Sequence, residues 1–230
     1  MWVAVWLPLR GRRGGPARVT LTKGGRRFTL LLRSPADLAT VGEVLVDDLY
    51  DVADVDDARV IVDLGSHIGT SIVFFRQRHP GAEIHGFEPD PESFGALQAN
   101  VGALEGVTID PRAVAAGRGE AVFHSSANSL ASSLVAGDGQ AVRVRTVGLD
   151  GIIEELALDR IDLLKLDVEG AEYDVLANAT RLGVVRAIAG ELHPGLVPVA
   201  PEAFFALLGD FDVHVDVFSP ASWQFSAVRR

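Results

Sequence analysis

The feature that most restricts the fold of this chain is an alternation of apolar, strand-like runs with short helical stretches. The run "RVIVDLG" (59–65) is followed by a helical stretch at 69–80, and "AEIHGFEP" (82–89) is followed by another at 91–101. Continuous apolar strands that alternate with helices are typical of a parallel sheet, because helical crossovers cover both faces of such a sheet. We therefore expect an α/β fold with a mostly parallel sheet and helices on both faces.

The two ends of the chain depart from this alternation. At the C-terminus, "FDVHVDVFS" (211–219) and "WQFSAVRR" (223–230) predict a closing antiparallel hairpin. Near the N-terminus, "ARVTLTKGG" (17–25) and "RRFTLLLRS" (26–34) predict two extra strands joined by a Gly-Gly turn. A helix is expected at 34–50, with Ser34 or Asp37 as its cap.

The length of 230 residues, 48% of them hydrophobic, is enough for one large domain with a buried core. We expect residues 1–58 to pack as strands and a helix on a core domain at 59–230, so that the two parts form a single globular unit. The small-residue stretch "SSANSLASSLVAGDGQ" (125–140) is predicted to be a functional loop, because long structureless loops inside compact domains usually carry function.

Charge and cysteine content exclude several classes of function. A formal net charge of -10 gives no general attraction to a phosphate backbone, so no nucleic-acid partner is expected. The absence of cysteine excludes disulfides, thiolate nucleophiles and cysteine-held iron–sulfur clusters. The apolar opening "MWVAVWLPL" is followed, not preceded, by arginines and no stretch has the length of a membrane span, so we expect a cytoplasmic protein without a membrane partner.

The turn "DLGSHIG" after the first strand of the alternation predicts a ligand site. In open α/β sheets, ligands bind at the carboxyl ends of the strands, and a glycine such as Gly65 lets the chain turn sharply there. A dinucleotide fingerprint would also need glycines at 67 and 70, where the chain has His67 and Thr70. The first motif of class I S-adenosylmethionine-dependent methyltransferases fits better, with His67 in place of its middle glycine. Glu88, at the end of the next strand, can accept hydrogen bonds from both ribose hydroxyls of a nucleoside.

Several segments together resemble the FkbM family of methyltransferases. These are "VDLGSHIGTS", "GFEPDPESFGALQANV", "SSL" (132–134), "LLKLDVEGAEYDVL" and "ELHP", and the resemblance covers about Asp37 to Pro194. It implies a class I methyltransferase (Rossmann-like) fold with a seven-stranded sheet, S-adenosyl-L-methionine as cofactor, and methyl transfer to a hydroxyl of a sugar or secondary metabolite in natural product biosynthesis. His67 departs from the family, which often has asparagine there.

The resemblance also implies which residues surround the cofactor. Asp63, Gly65, His67 and Gly69 would lie around its methionine part, and Glu88 would hold the ribose. The remaining positions predicted to contribute to cofactor binding are Ser66, Thr70, Ser71, Pro89, Asp90, Ser93, Ala113 and Asp167.

A second group of polar residues ends the later strands. Asp167 ends a central strand, where a class I methyltransferase meets both cofactor and acceptor, and Glu191 and His193 end the following strand. We expect all three to be catalytic, with His193 as a neutral general base and Asp167 or Glu191 orienting it or the acceptor. Glu172 is interpreted as a negative residue favoured at a helix N-terminus. No metal site is expected, although Asp167, Glu191 and His193 could supply three ligands.

The expected reaction is an in-line displacement in which an acceptor oxygen of a small molecule or glycan attacks the sulfonium methyl group. Two alternatives remain open at this stage. A nicotinamide-dependent oxidoreductase would share the fold and Glu88 but not the segment "KLDVEGAE". A non-catalytic nucleoside-binding module would need Asp63 and Glu88 but neither Asp167 nor His193.

Overall fold

The structure is a computed structural model of the chain, and it describes residues 16–23, 25–53, 55–125 and 140–230. Two features of the sequence analysis lie outside these ranges. They are the apolar opening at 1–9 and most of the predicted functional loop, residues 126–139.

A seven-stranded, mostly parallel sheet forms the centre of the protein, which confirms the predicted fold class. The strand order is β11-β12-β10-β9-β3-β4-β5, in which β12 runs antiparallel to both of its neighbours. The strands of this sheet are β3 (Val60–Leu64), β4 (Glu83–Phe87), β5 (Val107–Asp110), β9 (Ile161–Leu166), β10 (Val185–Leu192), β11 (Phe211–Ser219) and β12 (Ser222–Arg229).

Two smaller sheets accompany the central one. One is the antiparallel hairpin of β1 and β2 at the N-terminal side. The other is a three-stranded sheet in the order β6-β8-β7. Their strands are β1 (Ala17–Lys23), β2 (Arg26–Leu32), β6 (Ala113–Val114), β7 (Gly119–Ser125) and β8 (Gln140–Val147). The extra N-terminal strands and the C-terminal hairpin are thus confirmed.

Within the residues that the structure describes, six helices cover the two faces of the central sheet. Residues of the first three helices pack with Ile61 and Ile84 in one hydrophobic cluster, whereas residues of the last three pack with Val62 and Leu64 in a second cluster. The side chains of a strand alternate between faces, so β3, β4, β9, β10 and β12 contribute to both clusters. The helices are α1 (Pro35–Leu45), α2 (Thr70–Arg78), α3 (Pro91–Val101), α4 (Leu149–Glu155), α5 (Glu172–Ala177) and α6 (Pro201–Ala206). In the ranges that the structure describes, none of them has the length and apolar character needed to span a membrane.

Helix α1 begins as predicted but ends earlier than the sequence pattern indicates. Ser34 is its N-cap, and the side chains of Ser34 and Asp37 form a reciprocal capping box. The predicted helix continued to Tyr50, but α1 ends at Leu45, and Asp48 takes a positive φ of 57° shortly afterwards. This turn separates Tyr50 from the helix axis and brings it to the central sheet.

Besides its apolar side chains, which pack in the first cluster, the N-terminal hairpin is joined to the core by hydrogen bonds of one side chain of α3. The Asn100 amide accepts a hydrogen bond from the Leu31 N–H at 2.6 Å and donates to the Leu31 carbonyl at 3.1 Å. It also donates to the carbonyl of Ile68 at 2.8 Å, in the turn that follows β3. The hairpin is therefore tied to the ligand-binding edge of the sheet, while the division of the chain at residue 58 stays a prediction.

Candidate functional site

A cavity lies at the carboxyl ends of β3, β4 and β9, with about 790 Å³ of space not filled by atoms, part of it open to solvent. Most of the residues predicted to bind the cofactor line it, namely Gly65, Ser66, His67, Thr70, Ser71, Glu88, Pro89, Ser93, Ala113 and Asp167. Asp63, Gly69 and Asp90 do not line the cavity. The carboxyl ends of parallel strands meet at one edge of a sheet, which is why residues so distant in sequence are neighbours here.

The turn after β3 depends on Gly65. Its φ is +83°, and a Cβ atom built there would lie 1.8 Å from the main-chain oxygen of Asp167. The N–H groups of Gly65 and Ser66 both donate to the carbonyl of Phe87, at 3.0 and 2.9 Å. A side chain at position 65 would therefore force the turn away from β9.

Gly69 serves packing more directly than it serves a ligand. Its φ is +90°, and a Cβ atom there would lie 2.8 Å from a methyl carbon of Val101 and 2.9 Å from one of Leu97, both in α3. Gly69 therefore allows the start of α2 to approach α3. The predicted contact of Gly69 with the cofactor stays a prediction.

Asp63 lies behind the cavity wall, fully buried. One of its carboxylate oxygens accepts a hydrogen bond from the Ser71 hydroxyl at 2.6 Å, and the other lies 3.4 Å from the Nζ atom of Lys165. The side chain thus holds the start of α2 and β9 in place. Asp63 acts on the cavity through its neighbours.

Glu88 lines the cavity, and both of its carboxylate oxygens accept hydrogen bonds from the protein. One oxygen accepts from the His67 N–H and the other from the Asp90 N–H, each at 2.8 Å. Burial raises the pKa of Glu88 to about 7. Each carboxylate oxygen has a second lone pair, so the group retains capacity to accept hydroxyl donors.

Thr70 offers a second buried polar group to the cavity. It is only 2% exposed, and its hydroxyl has no hydrogen-bond partner within the described part of the chain. It is the first residue of α2, where free backbone N–H groups also favour a negative charge. The donor set of Thr70 and the acceptor set of Glu88 fit the carboxylate and ribose ends of S-adenosylmethionine.

Residues from the N-terminal segment contact the turn that follows β3. The Arg33 guanidinium donates to the Ser93 hydroxyl at 3.0 Å and lies 3.3 Å from Nε2 of His67, which in turn lies 3.4 Å from a carboxylate oxygen of Asp37. Burial lowers the pKa of His67 to about 4, so its ring is neutral at pH 7. Asp90 caps α3 by accepting from the Ser93 N–H at 3.2 Å. His67 and Asp90 are thus held by protein contacts.

Asp167 lies between the turn after β3 and a group of acidic side chains. Its Oδ2 atom accepts a hydrogen bond from the Tyr50 hydroxyl at 3.0 Å and lies 3.4 Å from Nζ of Lys165. Burial alone would raise the pKa of Asp167, but the charges of Lys165 and His193 outweigh it and the pKa is lowered. Its Oδ1 atom is buried without a hydrogen-bond partner among the described residues, so this oxygen can accept from a bound molecule.

His193 lies among three carboxylates. Nδ1 is 2.9 Å from Glu172, and Nε2 is 3.3 Å from Glu169 and 3.5 Å from Glu191. Burial disfavours the charged ring, but these hydrogen bonds and charges raise the pKa of His193 to about 11. The expectation of a neutral His193 is therefore wrong, because a ring that already carries both protons at pH 7 cannot accept another.

Glu191, the third predicted catalytic residue, is held by the antiparallel strand β12. Its carboxylate accepts hydrogen bonds from the Ser222 hydroxyl and, at 3.0 Å, from the Gln224 amide. The cavity lining does not include Glu191 or His193. The structure thus brings Asp167, Glu191 and His193 together but exposes only Asp167 to the cavity.

Glu172 does more than favour a helix N-terminus, and Glu169 adds a carboxylate to the cavity wall. Glu172 is fully buried and its two oxygens accept from the Gly170 N–H at 3.0 and 2.9 Å, so it fixes a turn as well as His193. Glu169 lines the cavity with a positive φ of 55°, and burial together with Asp167 raises its pKa to about 8. The signal that could have found them is the density of carboxylates in "DVEGAE", which exceeds what one helix N-terminus needs.

Lys165 and Tyr50 were also missed. The sequence signal for Lys165 is a lysine inside the apolar run "IDLLKL", because a buried ammonium group is costly unless it is paired. Tyr50 gave no such signal, since only the early end of α1 brings its hydroxyl to Asp167.

A metal ion could in principle lie near His193. Potential ligand atoms of Asp167, Glu169 and His193 all lie within 4.8 Å of one another. We expect activity without a metal, because the protonated ring offers no nitrogen lone pair to an ion and already compensates the carboxylates. Methyl transfer measured in EDTA should equal that in untreated protein. Loss of activity in EDTA and its recovery with magnesium would assign these residues as ligands instead.

Comparison with family models places residues 63–195 in the family described as "Methyltransferase FkbM domain". This range contains the glycine turn, Glu88 and the whole acidic group around His193. It also spans more than half of the chain.

Curated relatives include proteins of bacteria, archaea and fungi. The 2-O-methyltransferase NoeI of Sinorhizobium fredii is 29% identical over 220 residues, which cover 85% of this chain and 87% of the relative. The hexuronic acid methyltransferase AglP of Haloferax volcanii is 28% identical over 152 residues, covering 65% of this chain and 62% of the relative. The 31-O-demethyl-FK506 methyltransferase FkbM of Streptomyces tacrolimicus is 28% identical over 169 residues, covering 58% and 65%.

Among solved structures, the fibrillarin/Nop5p complex contains a chain of similar fold. The TM-score is 0.55 at 12% sequence identity, and the match covers 98% of this chain and 97% of the other. At that identity the likeness concerns the fold alone.

Proposed function

The chain belongs to the FkbM family of methyltransferases, and from that premise we propose that it transfers a methyl group from S-adenosylmethionine to a hydroxyl oxygen of a sugar or natural product. One observation carries the proposal. A single cavity is lined by the glycine turn and Glu88, which suit a nucleoside, and by Asp167 and Glu169, which suit an acceptor hydroxyl. The names of the relatives support oxygen as the methylated atom.

The residues that would hold the cofactor follow from their places in the cavity. Glu88 would accept the ribose hydroxyls, and Thr70 with the start of α2 would receive the carboxylate of the methionine part. Ser93 and Ala113 would border the ribose and adenine. When bound, the cofactor supplies a methyl group that its sulfonium already activates for attack.

The main contribution of the protein is alignment of the acceptor oxygen with that methyl group. Holding two reactants in line can supply ~7–11 kcal/mol of the barrier. The unpartnered Oδ1 atom of Asp167 can orient the acceptor hydroxyl, because Tyr50 and Lys165 fix the rest of this carboxylate.

Glu169 is the group that would accept the hydroxyl proton. It lines the cavity, and burial together with Asp167 raises its pKa to about 8, which makes its ionised form a stronger base than an ordinary glutamate. That form increases as the pH rises through about 8, so methyl transfer should increase over the same range. His193 would hold this carboxylate in place as a cation, from 3.3 Å. Glu172 and Glu191 would in turn hold the His193 ring.

The test of this function is methyl transfer by the purified chain. Labelled S-adenosylmethionine is offered with glycosides and polyketide-type alcohols, and the products are examined for a new O-methyl group. Transfer to at least one hydroxyl supports the proposal. Tight binding of the cofactor without transfer to any acceptor would favour a non-catalytic nucleoside-binding module. The family assignment argues against a nicotinamide-dependent oxidoreductase, and absence of NAD binding would agree.

Cofactor affinity should depend on pH through Glu88. The ribose hydroxyls need the carboxylate form as acceptor, so affinity for S-adenosylhomocysteine should fall as the pH drops through about 7. Glu88→Gln should weaken binding by about 1.5–3 kcal/mol and remove this pH dependence. Calorimetry between pH 5.5 and 8.5 gives both quantities.

Glu83→Gln is the matched control, because Glu83 begins β4, the strand that Glu88 directly follows, and its side chain is 59% exposed. It should bind like the wild type at every pH. Equal affinity of the wild type and Glu88→Gln across the range would contradict the ribose assignment.

A further inference from the structure

Lys165 occupies a position in which a charged side chain is costly. It lies in β9, between Leu164 and Leu166, and pairs in register with Asp63 of β3. Its side chain is only 2% exposed. A buried ammonium group persists in a folded protein only when its partners compensate for lost hydration, so its contacts indicate what it is for.

The contacts of Lys165 join the two halves of the cavity. Its Nζ atom donates to the main-chain oxygen of Gly65, in the turn after β3, and, at 3.3 Å, to that of Leu64, the last residue of β3. The same atom lies 3.4 Å from Oδ1 of Asp63 and 3.4 Å from Oδ2 of Asp167. One ammonium group therefore touches the cofactor turn, the carboxylate behind it and the carboxylate that faces the acceptor.

Lys165 brings a positive charge as well as hydrogen-bond donors to this position. Asp63 and Asp167 end neighbouring strands, and Lys165 is the cation that lies between them. Burial would lower the pKa of Lys165, but the two carboxylates outweigh it and raise the pKa, so the group stays protonated. The Tyr50 ring, with its centroid 5.3 Å from Nζ, adds a favourable cation–π contact.

We propose that Lys165 is a positioning residue whose positive charge holds Asp167 in place against the cofactor turn during methyl transfer. This inference rests on the proposed function. It predicts that loss of the charge lowers kcat while cofactor binding is largely retained, since a neutral donor can still bond to the Gly65 carbonyl.

The lack of cysteine in the chain allows the charge to be tested at fixed side-chain length. Lys165→Cys introduces a single thiol, which is alkylated in denaturant before refolding. Treatment with 2-bromoethylamine restores an ammonium group at the length of lysine, and treatment with iodoacetamide gives a neutral amide of similar size. Both products pass through the same handling, and wild-type protein taken through unfolding and refolding is the reference.

Three quantities are measured on each refolded product, namely the thermal midpoint, the Kd for S-adenosylhomocysteine and kcat per folded molecule. We expect the aminoethyl product to approach the wild-type kcat and the amide product to lose roughly 10²-fold. The Kd of the amide product should change by less than about tenfold, which corresponds to about 1.4 kcal/mol.

Equal kcat in the two products would overturn the inference. A lowered thermal midpoint of the amide product with an unchanged kcat would overturn it too. Either result would leave Lys165 a purely structural role. If neither product refolds, Lys165→Met and Lys165→Gln made without alkylation provide the same comparison of kcat with Kd, and a wild-type kcat in either variant would overturn the inference. Absence of methyl transfer in wild-type protein that binds the cofactor would instead contradict the proposed function.

Discussion

Gly65→Ala should abolish measurable cofactor binding, because the added Cβ would lie 1.8 Å from the main-chain oxygen of Asp167. Neither partner of this clash is a flexible side chain, so β9 and the turn after β3 must separate. The positive φ of 83° adds strain of about 1–3 kcal/mol for any residue other than glycine. We expect the Kd for S-adenosylhomocysteine to rise by more than about 100-fold, measured by calorimetry.

Gly81→Ala is the matched control. It makes the same chemical change where an added Cβ would have nothing within 4 Å, and Gly81 does not have a positive φ. It should bind the cofactor like the wild type. Circular dichroism of both variants separates loss of the site from loss of the fold. A Gly65→Ala protein that binds normally would show that the turn is not part of the cofactor site.

Glu169→Gln should lower kcat by roughly 10²–10⁴-fold, the usual contribution of a general base. Glutamine keeps the shape of the side chain but cannot accept the proton of the acceptor hydroxyl. Because the base acts mainly in the transition state, the Kd for S-adenosylhomocysteine should change little. The measurement is steady-state methyl transfer at saturating cofactor, combined with calorimetry.

Glu202→Gln serves as the control for Glu169→Gln, since Glu202 is an exposed residue of α6. It should retain the wild-type kcat. A near-normal rate in Glu169→Gln would mean that Asp167 or solvent accepts the proton. Alignment of the acceptor with the methyl group would then account for the catalysis.

Glu169 is the proposed base and His193 a cation that positions it, whereas the sequence predicts His193 as the base. The reason for the difference is electrostatic. A histidine at the end of a strand suggests a base with an ordinary pKa. Three carboxylates surround its ring and keep it protonated, and two of them, Glu169 and Glu172, come from the segment after β9. Burial, together with the charge of Asp167, raises the pKa of Glu169 to about 8, which supports Glu169 as the proposed proton acceptor at the cavity.

The ends of α1 show the same limit of sequence-based prediction, because its start could be predicted and its end could not. The capping box of Ser34 and Asp37 is a local pattern, and the start of the helix could be predicted from it. The apolar spacing continues to Tyr50, so only the positive φ of Asp48 shows where the helix has ended. The contact of Tyr50 with Asp167 spans 117 residues of sequence and has no local signal.

The sequence by itself determined the parallel sheet, the turn at Gly65 and the acidic ends of β4 and β9, because these follow from local periodicity and from the common edge at which parallel strands end. Only the tertiary structure decided that Lys165 joins Asp63 to Asp167, that Gly69 serves packing against α3, and that His193 is a cation. Each of these depends on distances between atoms of segments far apart in the chain. Burial and charge act through such distances, and the order of residues does not contain them.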